Sequence, residues 1–260
     1  MKRILITAVV SIGMLLVVSA SNATLINPIG GGGAEINLQT VLNNITTSPL
    51  GASSVNVDTD QVPLDAYWSI GGSGASVSTF IIQITGYSGV TTFGIYDAAN
   101  SLTKVPIFSG ALAPGAQATL GIQLDGSVYL NHVDTGTDFA AGNVFGYYIT
   151  QPGNYDNPPG PVGPHTYYSD TSLNADDFDH MVAFEGKGDT IQIGGWSPGE
   201  WSPNEYALAF EDFWGGGDWD YQDNVFMVES VNPVPEPSTM LLLGLGLVGL
   251  AGFARRRFGK

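Results

Sequence analysis

Glycine, proline, asparagine and aspartate break this chain at short intervals, and that punctuation limits the fold more than any other feature. Thirty-five glycines and 15 prolines in 260 residues separate apolar or alternating runs that are too short for helices and long enough for strands. The expected strands are Ala66–Ile70, Ser78–Thr85, Thr92–Tyr96, Gln117–Leu124, Val144–Thr150, Met181–Glu185, Thr190–Ile193, Tyr206–Glu211 and Asn224–Val231. Only Ile36–Asn44 hints at a helix, through the 3–4 spacing of Ile36, Leu38, Val41, Leu42 and Ile45. This pattern predicts an all-β fold, an antiparallel β-sandwich or jelly roll. The chain has no cysteine, so disulfides cannot staple it, and a bound metal is the plausible substitute.

The two ends read as addresses. Lys2 and Arg3 precede an apolar stretch from Ile4 to Val18, and Ser21-Asn22-Ala23 offers small residues for cleavage. That is the layout of a secretory signal helix over residues 1–23. At the other end Pro235-Glu236-Pro237 leads into an apolar run from Met240 to Ala254, closed by Arg255, Arg256 and Arg257. As a helix those 15 residues reach about 22 Å, a minimal single transmembrane span whose arginines stay cytoplasmic. The order of motif, span and arginines resembles the PEP-CTERM sorting signal. That resemblance implies handling by an exosortase in a Gram-negative bacterium that makes exopolysaccharide. The expected destination is the cell surface or extracellular matrix, after transient anchoring in the inner membrane.

Between the addresses the chain is strongly acidic. Six of the eight Lys and Arg lie in the two ends, leaving Lys104 and Lys187 against 24 acids from Glu35 to Glu236, a net of −22, of which Glu236 of the sorting motif supplies one. Such a surface repels nucleic acid and anionic lipid, and it attracts cations. The expected division is a flexible lead-in with the first elements at 24–61, a β-sandwich domain at 62–231 and the sorting tail at 232–260. Residues 151–164 are too rich in Pro and Gly for a ladder and read as a long loop within one domain. Residues 230–239 read as a Pro-rich stalk.

Fourteen of the acids fall between Asp170 and Glu229. The sharpest segment runs from Glu211 and Asp212 through Gly215-Gly216-Gly217 to Asp218, Asp220 and Asp223, with apolar strands on both sides. Alternate side chains in a tight turn can converge while Trp219 and Tyr221 turn away into packing. The glycines let the backbone approach a shared point. Carboxylates crowded in this way must protonate, disperse into water or share a cation. Calcium, which takes six to eight oxygens, fits the donor set. A second acidic patch, Asp176-Asp177-Phe178-Asp179-His180, offers Asp179 as a further ligand, with His180 read as a packed, hydrogen-bonded residue. An EF-hand count from Asp218 to Glu229 fails, because its sixth place is Asp223 instead of Gly and Val225–Glu229 has strand character.

His180–Phe184, Tyr206–Asp212 and Gly216–Asp223 together resemble the domain of unknown function numbered forty-one fourteen, common in secreted bacterial proteins beside a PEP-CTERM tail. Phe93–Asp97 and Trp68–Ile70 look like its upstream strands, which extends the resemblance over residues 62–231. It implies an architecture and a cation loop, and no activity. No nucleophile-elbow, zinc-protease or phosphate-loop motif is present, so the chain is read as not an enzyme. A glycoside hydrolase using Glu211 with Asp220, or Glu200 with Glu205, is the lesser alternative. The stronger rival is a carbohydrate-binding module, with Trp196 and Trp201 as candidate sugar-stacking residues. The reading favoured is a secreted, calcium-stabilised structural or adhesive protein associated with extracellular polysaccharide.

Overall fold

A computed structural model describes residues 25–26, 29–30, 36–72, 74–83, 89–152 and 163–235. In chain order the elements begin with α1 (Leu38–Ile45), β1 (Thr46–Ser48), β2 (Tyr67–Ile70), β3 (Ala75–Gln83), β4 (Thr92–Asp97) and β5 (Asn100–Ser109). They continue as β6 (Gln117–Ile122), β7 (Ser127–Leu130), β8 (Val133–Asp138), β9 (Phe145–Gln151) and β10 (His165–Tyr168). The last are β11 (Met181–Glu185), β12 (Asp189–Ile191), β13 (Gly199–Trp201), β14 (Glu205–Phe210), β15 (Asn224–Glu229) and β16 (Val231–Val234). The expected signal helix and terminal span lie outside the described residues. Among the described residues no helix is long and apolar enough to cross a membrane.

The strands form three sheets, and every pairing is antiparallel. The largest has the order β11-β14-β15-β3-β6-β7-β8, the second β16-β2-β9-β4-β5 with β10 also on β9, and the smallest β1-β12-β13. The two large sheets share one core. Phe93 of β4 stacks on Phe226 of β15 with ring centroids 3.7 Å apart, and Trp68 of β2 meets Tyr206 of β14 edge-on at 4.9 Å. Trp68, Ile95, Tyr147 and Ile149 from one sheet and Met181, Leu208 and Val228 from the other complete the cluster.

The far face of the seven-stranded sheet is also covered. Ala207, Ala209, Val225, Met227, Val182 and Phe184 pack there with Leu38, Val41 and Leu42 of α1, with Ile191 and Ile193, and with Trp201. Strand β14 shows the division in its own sequence. Its large residues Tyr206, Leu208 and Phe210 enter the inter-sheet core, and its small ones Ala207 and Ala209 admit the helix side. Helix α1 forms where the 3–4 spacing predicts it. Asn37 caps its start by accepting from the Thr40 N–H at 2.8 Å, and Thr46 Oγ1 donates to the Leu42 carbonyl at its end.

Several expectations need correction. Strand β5 was hidden by Lys104 and Pro106, and β8 by an almost wholly exposed polar face. Residues 231–234, read as a stalk, are strand β16, with Pro233 opposite Trp68 at the sheet edge, where a missing N–H is tolerated. Two described residues near the start of the lead-in hydrogen-bond to its later part. Ile26 N–H donates to Gln61 Oε1, and Ile29 N–H to Asp58 Oδ1.

Because α1 completes a core of the same sheet that forms the sandwich interior, Leu38→Ala should weaken the whole domain by about 2–5 kcal/mol. Urea unfolding followed by tryptophan fluorescence and circular dichroism should show one shifted transition. Two separate transitions, with the major one unmoved, would show that α1 packs as an independent appendage.

Candidate metal centre

Strands β11 and β14 are antiparallel, with Met181 opposite Phe210. That register brings the start of one and the end of the other to a single end of the sheet. The two acidic segments, 174–180 and 211–223, therefore adjoin, and Glu211 N–H donates to the His180 carbonyl at 3.0 Å.

Five of the six proposed ligands come together here. One carboxylate oxygen each from Glu211, Asp218 and Asp220 lie within 4.8 Å of one another, and so do oxygens from Glu211, Asp212 and Asp223. Glu211 and Asp212 are 0% exposed, Asp220 1% and Asp223 4%, while Asp218 faces solvent. Asp223 Oδ2 accepts the Asp212 N–H at 3.0 Å, and Asp220 accepts from the Gln222 side-chain amide at 2.7 Å. Glu211 Oε1 accepts the Phe213 N–H over a long 3.3 Å. Glu211 Oε2 is buried and accepts from no donor.

The loop reaches this shape through unusual backbone. Gly215, Gly216 and Gly217 all have positive φ. A Cβ on Gly216 would collide with the Phe178 ring, and one on Gly217 would stand 2.8 Å from Glu211 Oε1. Trp219 and Tyr221 also adopt positive φ, which is costly for large side chains and needs strong packing to hold. Tyr221 supplies that packing. It is fully buried, and its hydroxyl donates to the Asp179 carbonyl. Trp219 is half-exposed against Phe178, and its carbonyl accepts the Gly30 N–H at 2.7 Å.

Asp179, the sixth proposed ligand, stands outside both oxygen groups. Its charge acts instead on Asp65, another buried acid, with one oxygen that no donor reaches. Burial first, then the Asp179 charge, pushes the Asp65 carboxyl well above the ordinary range. His180 braces the site without joining it. Its Nε2 lies 2.9 Å from Asp176 Oδ2 and its Nδ1 2.8 Å from the Glu211 carbonyl. Both ring nitrogens are thereby engaged, which fixes the ring between the two acidic segments. Asp176 also takes the Gly215 N–H at 2.7 Å. Burial opposes its ionisation, but the hydrogen bonds from His180 and Gly215 hold its carboxyl below the usual range. His180 is the packed, hydrogen-bonded residue that the sequence suggested, whereas Asp65 was not expected and carries no local signal that would have revealed it.

The electrostatics of the centre all run one way. Burial, then the charges of Asp223, Asp212, Asp220 and Asp218, pushes Glu211 far up. Burial, then Asp212, does the same to Asp223. Asp220 is pushed up to about 7 by burial, with Asp223 and Asp218 adding to the effect. The two lysines of the body are elsewhere. Lys187 pairs with Asp60 at 2.6 Å, and Lys104 donates to the Tyr168 hydroxyl at 2.7 Å.

The two tryptophans proposed for sugar stacking part ways. Trp201 is 0% exposed, with its indole N–H on the Glu205 carbonyl and its ring against Gly186. It is a core residue and offers no face to a sugar. Trp196 is 51% exposed.

Comparison with known proteins gives two matches. Residues 139–231 match the family described as Domain of unknown function (DUF4114), and residues 233–257 match the PEP-CTERM protein-sorting motif. The chain carries both. The DUF4114 match is shorter than the resemblance expected over 62–231, and β2 and β4 fall outside it. Yet the matched strands complete neither large sheet alone, since β9 pairs with β4 and β15 with β3. The PEP-CTERM motif marks an exported protein sorted at the membrane by an exosortase in Gram-negative bacteria. No curated protein and no solved structure matches the chain.

In chelator, the raised acids make the folded chain bind more protons than the unfolded one. Their contribution is therefore intact below the ordinary carboxylate range and lost as pH rises through about 7, where Asp220 ionises. Melts in EDTA from about pH 4 to about pH 8 should show a falling midpoint over that window. A midpoint that climbs throughout would contradict the buried-acid arrangement.

Proposed function

We propose that the exported body is a passive surface or matrix module whose acidic loop is rigidified by calcium. The observation that carries this reading is Glu211, a fully buried acid with a donorless oxygen among four other carboxylates. No lysine of the body is there to neutralise them. The donors are all hard oxygens and cysteine is absent, which favours calcium over zinc or other thiophilic ions. Glu211, Asp212, Asp218, Asp220 and Asp223 would supply the carboxylate ligands, and Tyr221, His180 and the three glycines would fix their positions. Burial of Glu211 and Asp220 also weighs against that pair working on a sugar, since neither presents a face to one.

A ligand that binds only the folded state stabilises it by about 2.7 kcal/mol at 100 times its Kd. Saturating calcium should therefore raise the Tm relative to EDTA by several degrees. Glu211→Gln should abolish the shift, and Asp134→Ala, on exposed β8, should keep it. An identical Tm in calcium and chelator would remove the reading.

A second reading, carbohydrate binding, is favoured by Trp196 alone. Its indole N–H is fixed to the Gly115 carbonyl at 2.7 Å and its ring edge lies against Gly115. The exposed part lines a groove of about 130 Å³ with Gln117, Glu200, Glu205 and Glu229. If the groove takes sugar, the host exopolysaccharide should bind the wild-type chain and bind Trp196→Ala at least tenfold more weakly. Equal binding by both would exclude it.

A further inference from the structure

The five acids fall into two oxygen groups, and Glu211 is the one residue common to both. We propose that the centre is binuclear, with two calcium ions bridged by the Glu211 carboxylate; the proposal rests on the calcium reading above. The inner ion would be held by Glu211, Asp212 and Asp223, and the outer by Glu211, Asp218 and Asp220.

Size is the first argument. Calcium–oxygen bonds of about 2.3–2.6 Å put ligand atoms on one ion at most about 5 Å apart. Each group of three meets that limit, at 4.8 Å, while the five do not form one group. A single ion could therefore draw on one group and would leave the other pair of acids beside it unneutralised.

Charge is the second. Four of the five acids are buried, and one divalent ion leaves three negative charges where two ions leave one. Uncompensated buried charge is expensive, so the second ion has a strong reason to bind.

The bridge is the third. Glu211 Oε2 accepts from no donor, and Oε1 accepts the Phe213 N–H over a long 3.3 Å. Both oxygens thus keep lone pairs for metal, as a carboxylate bridging two ions requires. Gly217 fits the same picture, because any side chain there would press on Glu211 Oε1.

The two positions differ in surroundings. The inner ligands are all buried, which suits an ion that gives up its water, as calcium does and magnesium resists. The outer group includes exposed Asp218, so water completes its shell and exchange there is faster.

Calcium counting on the full chain tests this, by isothermal titration and by elemental analysis after removal of free ion. Wild type should bind two ions per chain, Asp218→Asn and Asp212→Asn one each, and Glu211→Gln neither. Asp134→Asn should retain two. One ion in wild type overturns the binuclear centre and leaves the calcium reading standing, whereas no ion overturns both. Two ions that survive Glu211→Gln place the metal elsewhere and also overturn the proposal. The wild-type count decides the matter even if a variant fails to fold.

Discussion

Strands β14 and β15 are apolar on both faces because the seven-stranded sheet is covered on both sides, by the second large sheet and by α1 with the small sheet. That double covering is the constraint from which the rest follows. A hairpin buried on both faces carries the ends of its connecting loop inside with it. Glu211 and Asp212 directly follow the last core residue of β14, Phe210, and Asp223 directly precedes β15. These acids are buried by continuity of the backbone. The cost of such burial is of the order of several kcal/mol per uncompensated charge. The fold offers them no lysine. Protons or external cations are what remain.

The positive-φ run through Gly215–Gly217, Trp219 and Tyr221 belongs to the same logic. Backbone strain persists where surrounding packing over-determines it. Here Phe178 fills the space over Gly216, and Tyr221 is sealed against Asp179. The loop is therefore shaped by apolar contacts before any ion arrives. Preorganisation of this kind lowers the ordering that binding must impose.

Much of this was legible in the sequence because its signals were local. The Tyr206–Phe210 run, the triple glycine and the alternating Asp218, Asp220 and Asp223 are read directly, and α1 follows from its apolar spacing. What stayed hidden was non-local. Asp179 was placed among the ligands because it sits in an acidic patch, but it stands outside both oxygen groups and its charge acts on Asp65. Trp196 and Trp201 look alike in sequence. One is sealed by Gly186 and the Glu205 carbonyl, the other left standing against Gly115. Strand β5 carries Lys104 and Pro106 because it is an edge, and edges need not alternate cleanly. Pro233 misled for the same reason: a proline that argues against a central strand is acceptable in β16, where its missing N–H faces outward.

The junction between body and tail is tight. Strand β16 ends at Val234, and Pro235 opens the sorting tripeptide at once. Only residues 235–239 separate the sheet from the apolar run that starts at Met240. Fully extended, five residues reach at most about 18 Å. If that run spans the bilayer as its composition predicts, the body is held close to the membrane surface until it is processed. A body of net charge −21 (two lysines against 23 acids up to Glu229) so near an anionic leaflet is repelled over a distance comparable to the screening length of about 10 Å. Divalent ions bound at the acidic loop, as proposed above, would lower that charge, so the cations that would settle the buried acids would also ease the approach of the body to the membrane that sorts it.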